Sequence, residues 1–304
     1  MTAATDDETE GRLTRTKLDA VLADLGERAS LDVRDARLIK FTNNAVFRLP
    51  RACVVVRIAG SATMRSRVPK IVQVVRWLAD EGVPAVRLLP DVPQPLEAGG
   101  HRATVWREVP AVGSRPTGAD LAAILQRWHA LGPPPFELPA WRPFEEIRQR
   151  LAEPEGLDSR DLTFLLDRCD ALEAQLAHVR YVLPPGPIHG DAFLGNLIPG
   201  PDGPVICDFD SSATGPREWD LTPVAVGKLR FDYPGDAQAE LAARYGFDVT
   251  QWSGFAVLRQ IRELKLVTSV VPILRSNPSI RQQWAYRLAT FKAGDTDARW
   301  TTYT

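Results

Sequence analysis

The spacing of apolar residues changes near residue 110, and that change limits the chain to a sheet-bearing segment followed by a helical one. Before it, short β-rich runs occupy residues 36–40, 45–49, 53–58, 85–89 and 103–109. Asn43-Asn44 and Pro50-Arg51 separate the first three of these, and both pairs are good turn formers, so the runs predict an antiparallel meander. One helical stripe precedes it and another interrupts it. Leu18, Val21, Leu22 and Leu25 share one face over residues 14–28, and Ile71, Val74, Val75 and Leu78 share one over 68–81, which stops at Gly82 and Pro84.

After Pro110 the period is helical. Thr117 and Asp120 form a capping-box pattern ahead of Leu121, Ile124, Leu125 and Trp128. Residues 132–143 carry too many prolines for regular structure, and a long helix is predicted at about 158–180. Loops and two short strands follow at 187–210, then three more helical patterns to about residue 292. The expected fold class is therefore α+β, with a loose tail at 1–12, a small antiparallel-sheet domain at 13–109 and a mostly helical domain at 110–304.

Composition excludes several classes. A net charge of −1, with 25% charged and 44% hydrophobic residues, describes an ordinary globular protein with no field that would draw it to nucleic acid. No apolar run is long enough to span a bilayer, and the acidic start of the chain is unlike a secretion signal, so no membrane partner is expected. Cys53, Cys169 and Cys207 are odd in number and far apart, which suggests neither a disulfide framework nor a zinc site. A cytoplasmic location and a monomer or homodimer fit these features.

The chemistry concentrates in residues 188–210. Ile188-His189-Gly190-Asp191 is followed by Asn196, five residues after Asp191, and then by a short apolar strand ending in Asp208-Phe209-Asp210. Phosphoryl transfer to a hydroxyl needs a carboxylate to accept or orient the hydroxyl proton, plus oxygen ligands that hold Mg2+ against the nucleotide phosphates. Asp191 can be that base, and Asn196 and Asp208 the metal ligands. A tight His-Gly-Asp turn and a strand-terminal Asp would leave the same letters. Chance alone gives this spacing in roughly one chain per thousand, which favours the chemical reading.

At these residues the chain resembles the aminoglycoside phosphotransferase and choline kinase family, whose fold is protein-kinase-like and two-lobed. The resemblance extends to Gly215-Pro-Arg-Glu-Trp-Asp220-Leu221, and it implies that Asp220 braces the catalytic loop while His189 hydrogen-bonds the backbone. It implies ATP, or GTP, as phosphate donor, Mg2+ as cofactor and a small hydroxylated molecule as acceptor. By position, Asn43 and Asn44 fall where the family covers the phosphates, although an ordinary hairpin turn reads the same. Glu108 and Val109 fall where backbone groups meet the adenine edge, and Trp106 there is either a core aromatic or a ring stacked on the base. Arg57, in Val54-Val-Val-Arg57-Ile, stands at the third-strand cation that contacts phosphate. A Glu on the next helix should pair with it, but that helix offers Lys70, Gln73 and Arg76, with Asp80 and Glu81 only at its far end. Either the ion pair is remodelled, with Lys70 aimed at phosphate, or the small domain is weakened. His101, His129 and His178 are scattered and read as ordinary residues.

The acceptor is less legible. Residues 211–304 hold nine Asp or Glu against twelve Lys or Arg, which argues against a strongly polycationic acceptor. Asp210, Glu218, Asp232 and Glu263 are the candidates for recognising an amine, although Glu263 lies four residues after Arg259 and suits a helix-surface salt bridge. The expected function is an ATP-dependent phosphotransferase acting on an amino alcohol, sugar or aminoglycoside-like hydroxyl. A nucleotide-binding pseudokinase and a dedicated antibiotic-resistance kinase are the alternatives.

Overall fold

The computed structural model describes residues 15–41, 44–152, 154, 156–275 and 277–303. The tail read at 1–12 and Asn43 lie outside the described residues. The chain divides into two compact units. One takes the chain up to Arg115 together with Pro134–Phe136 and Leu197–Ser212; the other comprises Pro116–Pro133, Glu137–Asn196 and the chain from Ala213 onward. The single boundary at 109/110 that the period change suggests therefore differs from the structure, because the hairpin at 197–206 hydrogen-bonds the first unit. Val86 N donates to Ile206 O and Ile206 N to Pro84 O, both at 3.0 Å, and Gly113 N reaches Pro199 O at 2.9 Å.

The sheet unit is built on five antiparallel strands, β1 (Arg37–Phe41), β2 (Asn44–Leu49), β3 (Val54–Ala59), β4 (Leu96–Ala98) and β5 (His101–Arg107), in spatial order β1-β2-β3-β5-β4. Alternation decides which face is covered: Phe47, Leu49, Val54, Val56, Ile58, Ala103 and Val105 point inward onto Leu18, Val21, Leu22 and Leu25 of helix α1 (Arg15–Ala29). Helix α2 (Ala62–Asp80) starts six residues before its apolar stripe suggests. Ser61 caps it, its Oγ accepting from Met64 N at 3.2 Å, and Pro69 sits within it. That proline has no N–H for Arg65 O, which instead receives Arg102 Nη1 at 3.5 Å. The strand expected at 85–89 is an extended segment joined to the sheets by two isolated bridges, Ala85 with Ile206 and Leu88 with Trp106. Strands β7 (Leu197–Gly200) and β8 (Gly203–Ile206) complete the unit.

The helical unit contains α3 (Gly118–His129), α4 (Pro143–Ala152), α5 (Ser159–Leu176), α6 (Glu218–Arg230), α7 (Ala237–Tyr245), α8 (Phe255–Thr268) and α9 (Arg281–Lys292), with β6 (Gly186–Ile188) pairing antiparallel to β9 (Ala213–Gly215). The capping box forms: Thr117 Oγ1 accepts from Asp120 N at 3.2 Å, and Asp120 Oδ2 from Thr117 N at 2.8 Å. Helix α4 begins at Pro143, where the fixed proline φ suits a first helical position and ends the proline-rich connector. Leu165, Cys169, Ile188, Trp219, Leu258, Ile261 and Leu264 form the centre of the unit's core. The three cysteines are free thiols, and no helix among the described residues is long and apolar enough to cross a membrane.

Helices α3 and α7 touch through Gly118. A Cβ there would lie 1.9 Å from the Ala237 carbonyl oxygen, and Gly118 N donates to Glu240 Oε2 at 2.8 Å. Gly118→Ala is expected to destabilise the protein by about 3 kcal/mol, measured as a lower urea midpoint. An unchanged midpoint would contradict this packing.

Candidate active site

In the helical unit, strand β6 delivers the chain into a tightly tethered turn. Asp220, three residues into α6 and fully buried, accepts His189 N at Oδ2 and Gly190 N at Oδ1, each at 2.7 Å. His129 of α3 donates to the same Oδ2 from Nε2 at 3.0 Å, while its Nδ1 lies 2.8 Å from the Tyr245 hydroxyl. Trp219 Nε1 donates to Gly190 O at 2.8 Å, so donors and acceptors of the turn are held from one helix. Gly190 has φ 82°, a conformation that only glycine adopts cheaply, and it turns the chain so that Asp191 emerges. His189 is buried, its ring edge-on to Trp128 and its Nδ1 3.3 Å from Asp191 N.

Asp191 is the part of this turn that reaches solvent, its side chain 28% exposed. Oδ1 accepts from Arg262 Nη1 on α8. Burial by itself would push the carboxyl up, but the positive charges of Arg262 and Lys265 outweigh it and hold Asp191 below the ordinary carboxylate range. Five residues on, in a short 3-10 turn at Leu194–Asn196, Asn196 Nδ2 donates to Asp191 O at 2.9 Å, which leaves Asn196 Oδ1 as the atom available to a cation.

In the sheet unit, Asp208 takes the left-handed conformation, with φ 71° and ψ 71°, just after β8. Asp tolerates this better than most residues, yet it costs energy that the surroundings must offset. The surroundings do so at the next turn. Arg57 Nη2 of β3 donates to Asp210 Oδ2, and Lys70 Nζ of α2 donates to Asp210 O at 2.7 Å and Ser212 O at 2.9 Å. Phe209 stacks on Trp106, with ring centres 6.4 Å apart. The ion pair is thus remodelled: the acid comes from the Asp-Phe-Asp turn, and the helix contributes a cation aimed at backbone carbonyls. Burial opposes the charge on Asp210, and Arg57, together with Asp208 and Arg67, holds it below the usual range. Asp210 Oδ1 is buried with no hydrogen-bond partner. The orphaned carboxylate oxygen of Asp210, two residues from Asp208, is a hard oxygen donor of the kind Mg2+ takes, and the Asn196 amide oxygen of the helical unit is another.

The remaining expected site residues divide. Asn44 opens β2 and its Nδ2 lies 3.8 Å from Met64 Sδ. Glu108 N donates to Cys53 O at 2.9 Å and its carboxylate pairs with Arg48 at 2.7 Å, so the Glu108 carbonyl and the Val109 backbone are what remain for an adenine edge. Trp106 is a buried core aromatic whose Nε1 donates to Thr104 Oγ1. Of the four proposed amine contacts, Asp210 pairs with Arg57 and the other three lie in the helical unit. Glu218 is fully buried and its Oε1 accepts from Val182 N and Leu183 N at 2.7 and 2.8 Å. Glu263 is buried between Arg230 Nε and Arg259 Nε, 2.7 and 2.8 Å away. Asp232 is 84% exposed and lies 3.8 Å from Arg299. His129, read as ordinary, and Arg262, not singled out at all, both hold the Asp191 turn; each lies at least 60 residues from it in sequence, and no local spacing marks them.

A model of the phosphotransferase enzyme family matches residues 37–264. The chain belongs to that family. Its structure is similar to that of a choline/ethanolamine kinase family protein from Mesorhizobium loti (TM-score 0.64, 20% identity, 91% of this chain and 94% of that one covered). It is similar to amicoumacin kinase hAmiN, solved with AMP-PNP, Ca2+ and Ami (TM-score 0.64, 16% identity, 97% and 98% covered). It is also similar to choline kinase LicA from Streptococcus pneumoniae (TM-score 0.63, 18% identity, 88% and 98% covered). At these identities the likeness establishes the fold, which is protein-kinase-like. No curated protein matches the sequence.

Replacing Asp220 removes the acceptor of two buried backbone N–H groups and of His129. Asp220→Ala is expected to cost about 3–5 kcal/mol of stability, read from denaturant titration. A loss under about 1 kcal/mol would mean that the turn is held by something else.

Proposed function

We propose that this family member is an ATP-dependent small-molecule kinase, with GTP as the other candidate donor, which moves the γ-phosphoryl group to an acceptor hydroxyl. The observation that carries the reading is the turn at 189–191. Asp220 fixes its backbone, and Asp191 is presented ionised at a solvent-reaching position. Oδ1 of Asp191 is engaged by Arg262, so Oδ2 is the atom that receives the acceptor hydroxyl. The hydroxyl proton passes to Oδ2 as the acceptor oxygen bonds to the γ-phosphorus and the bond to the β–γ bridging oxygen breaks, releasing ADP. Mg2+, when bound, would neutralise charge on the nucleotide phosphates, with Asn196 and Asp208 as its protein ligands. Arg57, Asn44, Glu108 and Val109 are proposed to serve the nucleotide, and Asn43 with them.

The pseudokinase alternative rested on the missing helix Glu. Lys70 and Asp210 provide another tether for the Asp208 turn, which supports catalysis over loss of it. The burial of Glu218 and Glu263 weighs against a dedicated kinase of polycationic antibiotics. An ADP-release screen over hydroxylated acids, sugars, amino alcohols and antibiotics, with Asp191→Ala beside the parent chain, tests the assignment. Any true acceptor is expected to give turnover that falls by about a hundredfold or more in the variant. Equal rates in the two proteins would mean that the base lies elsewhere.

A further inference from the structure

Resting on the kinase reading, the geometry around Asp191 assigns an acceptor subsite of unexpected sign. We propose that Arg262 binds a carboxylate on the acceptor, and that the substrate class is small hydroxylated acids. Arg262 is 7% exposed, and Asp191 is its hydrogen-bond partner among the described residues. A guanidinium carries five N–H donors in a planar fork, and Asp191 Oδ1 takes one of them from Nη1. The rest form a donor array beside the oxygen that receives the hydroxyl, and its planar geometry matches a carboxylate two-fold.

The neighbouring charges sharpen the choice. Lys265, one turn further along α8, adds positive field at Asp191, but its own Nζ is held by Glu146 Oε2 at 3.0 Å, and Arg150 shares that carboxylate at 2.9 Å. Lys265 and Arg150 thus already face a carboxylate of the fold, whereas Arg262 faces only Asp191 among the described residues. The carboxylates that would take a cationic acceptor lie elsewhere: Glu218 and Glu263 are buried in structural contacts, and Asp232 is an exposed partner of Arg299. A cationic amine beside Arg262 would meet like charge in a nearly buried position, which costs binding.

The test compares acceptors matched in everything but the charged end: glycerate against glycerol, gluconate against glucitol, and hydroxybutanoate against aminobutanol. ADP release is measured with ATP and Mg2+ for the full chain, Arg262→Gln and Arg262→Lys, with thermal melting to show that each variant is folded. The parent is expected to favour the acid member of at least one pair by about tenfold or more in kcat/KM, chiefly through KM. Arg262→Gln should erase that preference, and Arg262→Lys should keep part of it. Preference for the neutral or amine members, a preference that survives Arg262→Gln, or turnover of no acid overturns the subsite. ATP binding that is lost in Asp208→Asn keeps the kinase reading standing in those cases; its absence in the parent rejects both.

Discussion

One carboxylate carries the arrangement on which the chemistry depends. Asp220 is fully buried, and a buried charge is tolerable only when its oxygens are saturated with good donors. Its donors are the amides of His189 and Gly190 and the His129 ring, so satisfying the charge and fixing the turn are a single event. The turn cannot relax without leaving Asp220 unpaired, and Asp220 cannot move without unwinding the first turn of α6. Asp191 inherits this rigidity while remaining open to solvent. A carboxylate held this way loses little entropy when a ligand docks against it.

The second fixed point is assembled differently. A kinase small domain ordinarily links its third strand to the next helix by a cation and an acid. Here a cation from β3 and a cation from α2 reach the Asp-Phe-Asp turn, which answers with a carboxylate and two carbonyls. The physical requirement, that strand, helix and the Asp208 turn be tied together, is met with the partners exchanged. This exchange also accounts for a left-handed Asp208: Arg57 and Lys70 grip the residues just after it, and the stacking of Phe209 on Trp106 fixes the residue between.

The letters of the sequence disclosed some of this and concealed the rest for identifiable reasons. Local pattern was enough for the strands at 45–49 and 53–58, where burial alternates, and for the capping box at Thr117, where both partners lie within one turn. Pattern misled at the start of α2, where Ser61 caps a helix that begins before its apolar stripe, and at 85–89, whose apolar letters reflect burial along an extended segment. The Asp191, Asn196 and Asp208 spacing was legible because it comes from one loop and one hairpin. Arg262 and His129 were not, because long-range packing alone brings α8 and α3 to the turn. The carboxylates Glu218 and Glu263 show the converse: a charged letter in a helix reads as exposed and available until buried donors claim it.

The most direct test follows the phosphoryl group itself. With ATP labelled at the γ-phosphorus and an accepted hydroxyl compound, mass spectrometry and scintillation counting identify where the label goes. The account predicts label on the acceptor oxygen in an amount equal to the ADP formed. Label found only in inorganic phosphate, with the acceptor recovered unchanged, would contradict it.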